Sequence, residues 1–314
     1  MQYAIVYRKK VGGYSIEQMF YPLEVNAKEI IYLPFSDSNI FKILLNLIYL
    51  KIKKEKRFTY LLTGQIYYAA LALKGAKVIS VLHDLDSFNF NSTIKGIVKK
   101  NIFINLGLNY SSKVICVSKS VLNDFQKINI NKIPTSVINN YPIVHNKFDI
   151  INKKDIDFLL IGAKKNKFIN ESIKIILKTH PDSNIVAVSN KDYIENKLHG
   201  KVKILCNLSI KDLEIIYSKS VFLVFLSEFE GFGIPIIEAQ SFGVIPIVRD
   251  KEPMMSVVGD SGLIFKSNNL EGNFKRLNDL SISDLNILKD KGKLNSEKYS
   301  LDCFVNNYFK AINE

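Results

Sequence analysis

The 314 residues are 47% hydrophobic and 23% charged, enough apolar material for one large or two ordinary α/β domains, which excludes a disordered chain. The longest apolar stretch, Ile40 to Ile52, is interrupted by Lys42, Asn46 and Lys51 and falls short of the roughly 20 apolar residues of a membrane-spanning helix, so no span is expected. The formal charge of +13 is uneven: residues 1–150 carry 20 Lys and Arg against 9 Asp and Glu, residues 151–314 carry 23 against 21, so the first half suits either an anionic partner or a merely solvated lysine-rich surface.

The chain enters a strand-like run at Tyr3–Tyr7 with no basic n-region, long apolar segment or small-residue cleavage site, which predicts no secretory leader and a cytoplasmic protein. Gly12 and Gly13 follow, either as a plain turn or as a loop that lets the backbone approach a ligand. Further strands are predicted at Tyr60–Thr63, Lys77–Leu82, Lys113–Val117 and Ser136–Asn139, with helices at Ile40–Lys54 and Ser118–Ile128 between them. His83 closes the strand ending at Leu82, where α/β sites form, although a lone histidine is more often a structural residue; Asp84 and Asp86 imitate an Asp-x-Asp metal motif. The basic residues Lys51, Lys53, Lys54, Lys56 and Arg57 follow one apolar run and Lys95, Lys99 and Lys100 flank another, a pattern of either core helices with basic ends or segments that rest on an anionic membrane. The polar stretch Asn146–Asp155 marks a boundary. Beyond it, Asp157–Ile161, Asn184–Val188, Val202–Leu205, Val221–Phe225 and Ile245–Val248 repeat the scheme, so the expected fold class is α/β: parallel sheets from βαβ units in two Rossmann-like halves, 1–150 and 151–298, with the ligand cleft at the carboxyl ends of the strands. Cys116, Cys206 and Cys303 stand far apart and in odd number, as buried structural thiols of a reducing compartment do.

The densest signal is Ser227 to Gly243, SEFEGFGIPIIEAQSFG, directly after the apolar run Val221–Phe225. Gly231 and Gly233 allow close backbone approach, and Pro235 suits the first turn of a helix, where its missing N–H has no partner to lose. The free N–H groups of that turn make an anion site fit for a diphosphate. Glu230 precedes the helix and Glu238 lies within it, so the first can face a reacting sugar while the second accepts hydrogen bonds from hydroxyls. Spacing alone also allows an ordinary strand–turn–helix with two surface glutamates.

The string EGFGIPIIEA, a glutamate, seven residues and a second glutamate, resembles the signature of glycosyltransferase family 4, retaining enzymes of GT-B fold. The likeness extends to Val11-Gly12-Gly13, Val81 to Leu85, Ile115 to Lys119, Val137 to Asn140 and Leu160 through Lys167, while Tyr299 to Ile312 resembles the helix, here 299–314, that returns to the first domain. The resemblance implies an N-terminal acceptor domain and a C-terminal donor domain. It implies that Glu238 holds ribose hydroxyls, that Glu230 and His83 lie at the transferred sugar, and that Gly231, Phe232, Gly233 and Ile234 present backbone N–H groups to diphosphate and sugar. Gly12 and Gly13 would approach the donor. Lys167, with Lys164 or Lys165, would neutralise the departing diphosphate, placing positive charge where negative charge develops. It implies no cofactor and no metal, which sets aside the Asp84-x-Asp86 motif, and a UDP- or GDP-sugar as substrate. Family members of this kind resemble bacterial enzymes of surface polysaccharide (O-antigen or capsule) assembly, with a glycan or polyprenyl-diphosphate-linked acceptor at the inner face of the membrane and no nucleic-acid partner. Two departures stand out: the family's usual arginine after the Gly162 strand has no exact match, and Ser256 stands where many members have a glutamate. The rival readings are a nucleotide-sugar epimerase or phosphorylase of the same fold, and an inactive basic adaptor for membrane or nucleic acid.

Overall fold

The computed structural model describes residues 2–9, 15–37, 39–85, 106–129, 131–144, 154–162 and 164–314. The chain divides into two compact units, Met1–Asn140 with Asp302–Glu314, and Tyr141–Leu301.

The first unit is built on six parallel strands: β1 Tyr3–Tyr7, β2 Glu29–Tyr32, β3 Thr59–Thr63, β4 Lys77–Leu82, β5 Lys113–Cys116 and β6 Thr135–Val137, in the order β2-β1-β3-β4-β5-β6. Every residue of β1 and β3 is buried, as parallel strands covered on both faces require. Asn39 caps the helix Ile40–Lys53 by accepting from the Lys42 N–H at 2.9 Å. That helix turns Ile43, Asn46 and Leu50 inward, and the Asn46 amide ties it down by donating to the Phe35 carbonyl and the Tyr68 hydroxyl. The terminal helix Leu301–Asn313 completes this unit: Phe304 and Tyr308 pack on Phe20, the Lys77 ammonium donates to the Ile312 carbonyl at 3.0 Å, and Lys113 pairs with Glu314.

The second unit carries β7 Ile156–Ile161, β8 Ile185–Val188, β9 Lys203–Leu205, β10 Ser220–Phe225, β11 Ile245–Arg249 and β12 Leu263–Phe265, all parallel, in the order β12-β11-β10-β7-β8-β9. One face of this sheet, with Phe158, Leu160, Val224 and Ile247, is sealed by Ile169, Ile173 and Ile176 of the helix Ile169–Thr179. The strand order is that of a doubly wound dinucleotide fold and reverses between β7 and β10. Ligands of such sheets sit at the carboxyl ends on either side of the reversal. Here those ends are the loops after Ile161 and after Phe225.

Of the cysteines, Cys116 is buried, but Cys206 and Cys303 are exposed. The expectation of three buried thiols fails because Cys206 follows the edge strand β9 and Cys303 sits on the outer side of the terminal helix. Among the described residues no helix is long and apolar enough to cross a membrane.

Candidate functional site

The two loops at the reversal are joined to each other. The Glu228 N–H donates to the Asn166 carbonyl at 2.8 Å, and the Asn166 amide donates to the Phe229 carbonyl at 3.1 Å. Across this junction the Lys167 ammonium pairs with the Glu230 carboxylate and stands 4.7 Å from the centroid of the Phe225 ring. Gly162 makes the arrangement geometrically feasible: its φ is +147°, and a Cβ there would lie 2.6 Å from Cγ of Lys167, inside the stem of the lysine that crosses over it. Lys164 and Lys165 are exposed, so of the three lysines Lys167 alone meets a carboxylate of the motif.

The glycine loop ends at Gly233, whose φ of +101° starts the helix Ile234–Ser241 with Pro235 in its first turn. A side chain at Gly233 would be strained by that φ and would press on Ile236 Cδ1 at 2.9 Å. No side chain caps this helix; Pro235 has no N–H and the Ile236 N–H already donates to the Gly233 carbonyl at 2.9 Å, so the helix start offers a ligand few free donors beyond its dipole. Phe232 is buried with its ring edge-on to Tyr299. Gly243, with φ +62°, turns the chain out of the helix two residues after its end. Gln240 and Asn295 lock the helix from behind: Gln240 donates to the Ser261 hydroxyl at 2.9 Å, and Asn295 donates to the Gln240 side-chain oxygen at 3.0 Å.

Neither glutamate of the motif is an open surface residue. Glu238 is 6% exposed, with Oε2 accepting from the Tyr217 hydroxyl at 2.9 Å and Oε1 from the Val144 N–H at 3.2 Å. Burial pushes its pKa up to about 7 against those hydrogen bonds, which favour the ionised form. The Ile143 backbone N–H also bonds this carboxylate, and since a carboxylate offers about four acceptor sites, these bonds leave limited capacity for further donors.

In the first unit His83 follows β4, edge-on to Phe20, and its Nε2 is shut off from solvent without a hydrogen-bond partner among the described residues. Burial lowers its pKa to about 4, so the ring is neutral at pH 7. Gly12, Gly13, Asp86, Lys95, Lys99, Lys100 and most of the 146–155 boundary lie outside the described residues. A recess lined by Asp157, His180 and Asn278 opens at the amino-terminal edge of the second sheet, away from the loops of the reversal. Sequence reasoning passed over Tyr217, the partner of Glu238, and Arg249, a buried charge ending an apolar strand; the abrupt IPIVR boundary is the signal that marks the arginine.

Residues 148–291, within the second unit, match the family described as glycosyl transferases group 1. O-antigen chain mannosyltransferase RfbU of Salmonella typhimurium is 29% identical over 197 residues, 59% of this chain and 55% of that protein. The fold of HepE from Anabaena, solved in complex with UDP-glucose, superposes with a TM-score of 0.77 at 13% identity, covering 100% of this chain and 99% of that one. Over residues 148–291 the chain is similar to the group 1 glycosyltransferases. Its architecture is GT-B, as the two parallel six-stranded sheets and the HepE likeness show. A shorter stretch, 72 residues at 38% identity, is similar to the GDP-mannose:cellobiosyl-diphosphopolyprenol alpha-mannosyltransferase of Xanthomonas oryzae, covering 23% of this chain and 19% of that enzyme. The chain thus spans about half the length of RfbU and a fifth of the Xanthomonas enzyme.

Proposed function

We propose that this protein transfers a hexosyl group, with retention of configuration and without a metal ion, from a nucleoside-diphosphate sugar to a hydroxyl of a glycan or polyprenyl-diphosphate-linked glycan in surface polysaccharide assembly. The observation that carries it is the Lys167–Glu230 pair at the reversal of the second sheet, beside the uncapped start of the helix Ile234–Ser241. In this reading the helix start and Lys167 hold the diphosphate, the loop 231–234 and Glu230 hold the sugar, and Glu238 accepts from the ribose hydroxyls. The acceptor oxygen attacks the anomeric carbon on the face from which the nucleotide leaves. The bond between that carbon and the phosphate oxygen breaks, and the departing diphosphate takes the acceptor's proton. Charge develops on the diphosphate, which in this reading Lys167 and the positive end of the helix neutralise, so no protein nucleophile is required. His83, neutral at pH 7, serves as a hydrogen-bonding group to the sugar in place of a proton donor. The name of the Xanthomonas relative favours GDP-mannose as the first donor to try and a diphosphopolyprenol-linked acceptor; the HepE complex keeps UDP-glucose in the screen.

The test is release of nucleoside diphosphate from GDP-mannose, UDP-glucose and other UDP-sugars, with and without EDTA, followed by NMR of the anomeric centre of any glycoside formed on lipid-linked acceptors. One donor should turn over with EDTA present and give the anomer it started from, and Lys167→Gln should lower turnover on the order of 100-fold by removing charge from the leaving group. Turnover that needs a divalent ion, an inverted product, or a Lys167→Gln variant as fast as the parent would each remove a part of this reading.

A further inference from the structure

Arg249 is a charged side chain held inside the second unit without an ion pair among the described residues. It ends β11, and the registers Phe225↔Val248 and Val224↔Leu160 place Gly162, Leu226 and Arg249 in one row across the carboxyl edge of the sheet. The residue is 6% exposed, its Nε is buried without a hydrogen-bond partner, and among the described residues no carboxylate forms an ion pair with it. The adjacent Asp250 feels the charge of Arg249 only weakly and gives its hydrogen bonds to the N–H and hydroxyl of Ser267. What the guanidinium does meet is the ring of Phe168, 4.3 Å from its centroid. Phe168 follows Lys167 directly and closes the turn Lys165–Lys167 in a left-handed conformation, φ 57° and ψ 30°. Arg249 therefore reaches across the strand row to the loop that carries Lys167. Ser227, after β10 on the same edge, also has a buried hydroxyl without a partner among the described residues.

The energetics do not close within the protein. Removing a charge from water costs more than a cation regains over an aromatic face. An apolar side chain would fill the same space without that deficit, whereas an arginine held there serves a ligand that supplies the missing anion. We propose that Arg249 is a second phosphate-binding cation of the nucleotide site, acting with Lys167 and held ready by Phe168, and that its counter-ion is the diphosphate of the donor. The inference rests on the donor reading above and adds to it a residue that the EGFGIPIIEA motif does not contain.

Calorimetry on the full chain with GDP, UDP, the free nucleosides and inorganic pyrophosphate tests it, using Arg249→Gln and the charge-keeping Arg249→Lys, each checked for folding by circular dichroism and Tm. Arg249→Gln should bind the preferred nucleoside diphosphate and pyrophosphate at least tenfold more weakly while its affinity for the nucleoside is unchanged. Its Tm should not fall, because an unpaired buried charge has been removed. Arg249→Lys should recover part of the diphosphate affinity, and it carries the test alone, as a smaller selective loss, if the glutamine variant does not fold. Diphosphate binding equal to the parent's in a folded variant, or an equal loss for nucleoside and diphosphate, would overturn the role of Arg249 and leave the donor reading standing. A parent protein that binds neither nucleoside diphosphates nor pyrophosphate would overturn both.

Discussion

Glu238 shows how far a single residue departs from what its place in a motif suggests. The string tells the reader that a carboxylate recurs eight positions after Glu230; it does not tell that the carboxylate is buried and already bonded to Tyr217 and Val144, because both partners come from distant segments. The same holds for Arg249, whose environment is made by Phe168 from another loop. Burial gives Glu238 a testable signature. Its folded pKa of about 7 lies above the ordinary 4.5, so between those values the folded protein binds more protons than the unfolded chain. The stability Glu238 contributes is thus complete below about pH 4.5 and is lost as pH rises through about 7, by on the order of 3 kcal/mol. Glu238→Gln cannot ionise. Urea midpoints measured from pH 4.5 to 8 should show the parent losing stability relative to this variant as pH rises; a difference that stays flat, or grows with pH, would reject the buried-acid assignment.

At the level of elements, the helix Ile40–Lys53 makes the membrane reading of its sequence testable. It is a partner of the core on one side only. On its other side Phe41, Leu44, Ile48 and Ile52 form a stripe at helical spacing, 68%, 49%, 56% and 79% exposed. Lys51, Lys53, Lys56 and Arg57 stand exposed at its carboxyl end, with Lys53 and Arg57 paired to Glu29 and Glu55. Exposed apolar residues beside lysines are a pattern that an anionic bilayer surface would accept, at about 1 kcal/mol for each lysine near the headgroups. The full chain should sediment with vesicles containing phosphatidylglycerol and be released by salt. Replacing Phe41 and Ile48 by serine, or Lys53, Lys54, Lys56 and Arg57 by glutamine, should abolish sedimentation and leave hydrolysis of the soluble donor unchanged. No sedimentation of the parent at low salt would assign the stripe some other role. Most strands were legible as elements because each is an apolar β-branched run bounded by turns. The edge strands β2 and β12 were not: four and three residues long and partly exposed, they carry too little pattern to separate from loop.

For the whole molecule, the chain order hides which unit owns the C-terminus. The terminal helix follows directly on the second unit in sequence, yet Asp302–Glu314 belongs to the first. Phe304, Tyr308, Ala311 and Ile312 are its buried residues, and Lys77 and Lys113 hold its last turn. Deleting residues 302–314 strips the first unit of two large aromatics and uncovers Phe20. By comparison with single aromatic-to-alanine changes of 3–5 kcal/mol, the combined loss is comparable to the roughly 5–15 kcal/mol stability of a typical domain. The second unit loses nothing from its own core, since Phe232 and Tyr299 both remain within it. Calorimetry of the truncated chain should therefore show the transition of the first unit lowered or absent and that of the second retained. The preferred nucleoside diphosphate should still raise the surviving transition, because Lys167, Glu230, Glu238 and Arg249 all lie in the second unit. Loss of both transitions together, or loss of the ligand-induced rise while the second transition survives, would show that the nucleotide site depends on the first unit and would contradict its placement in the second unit alone.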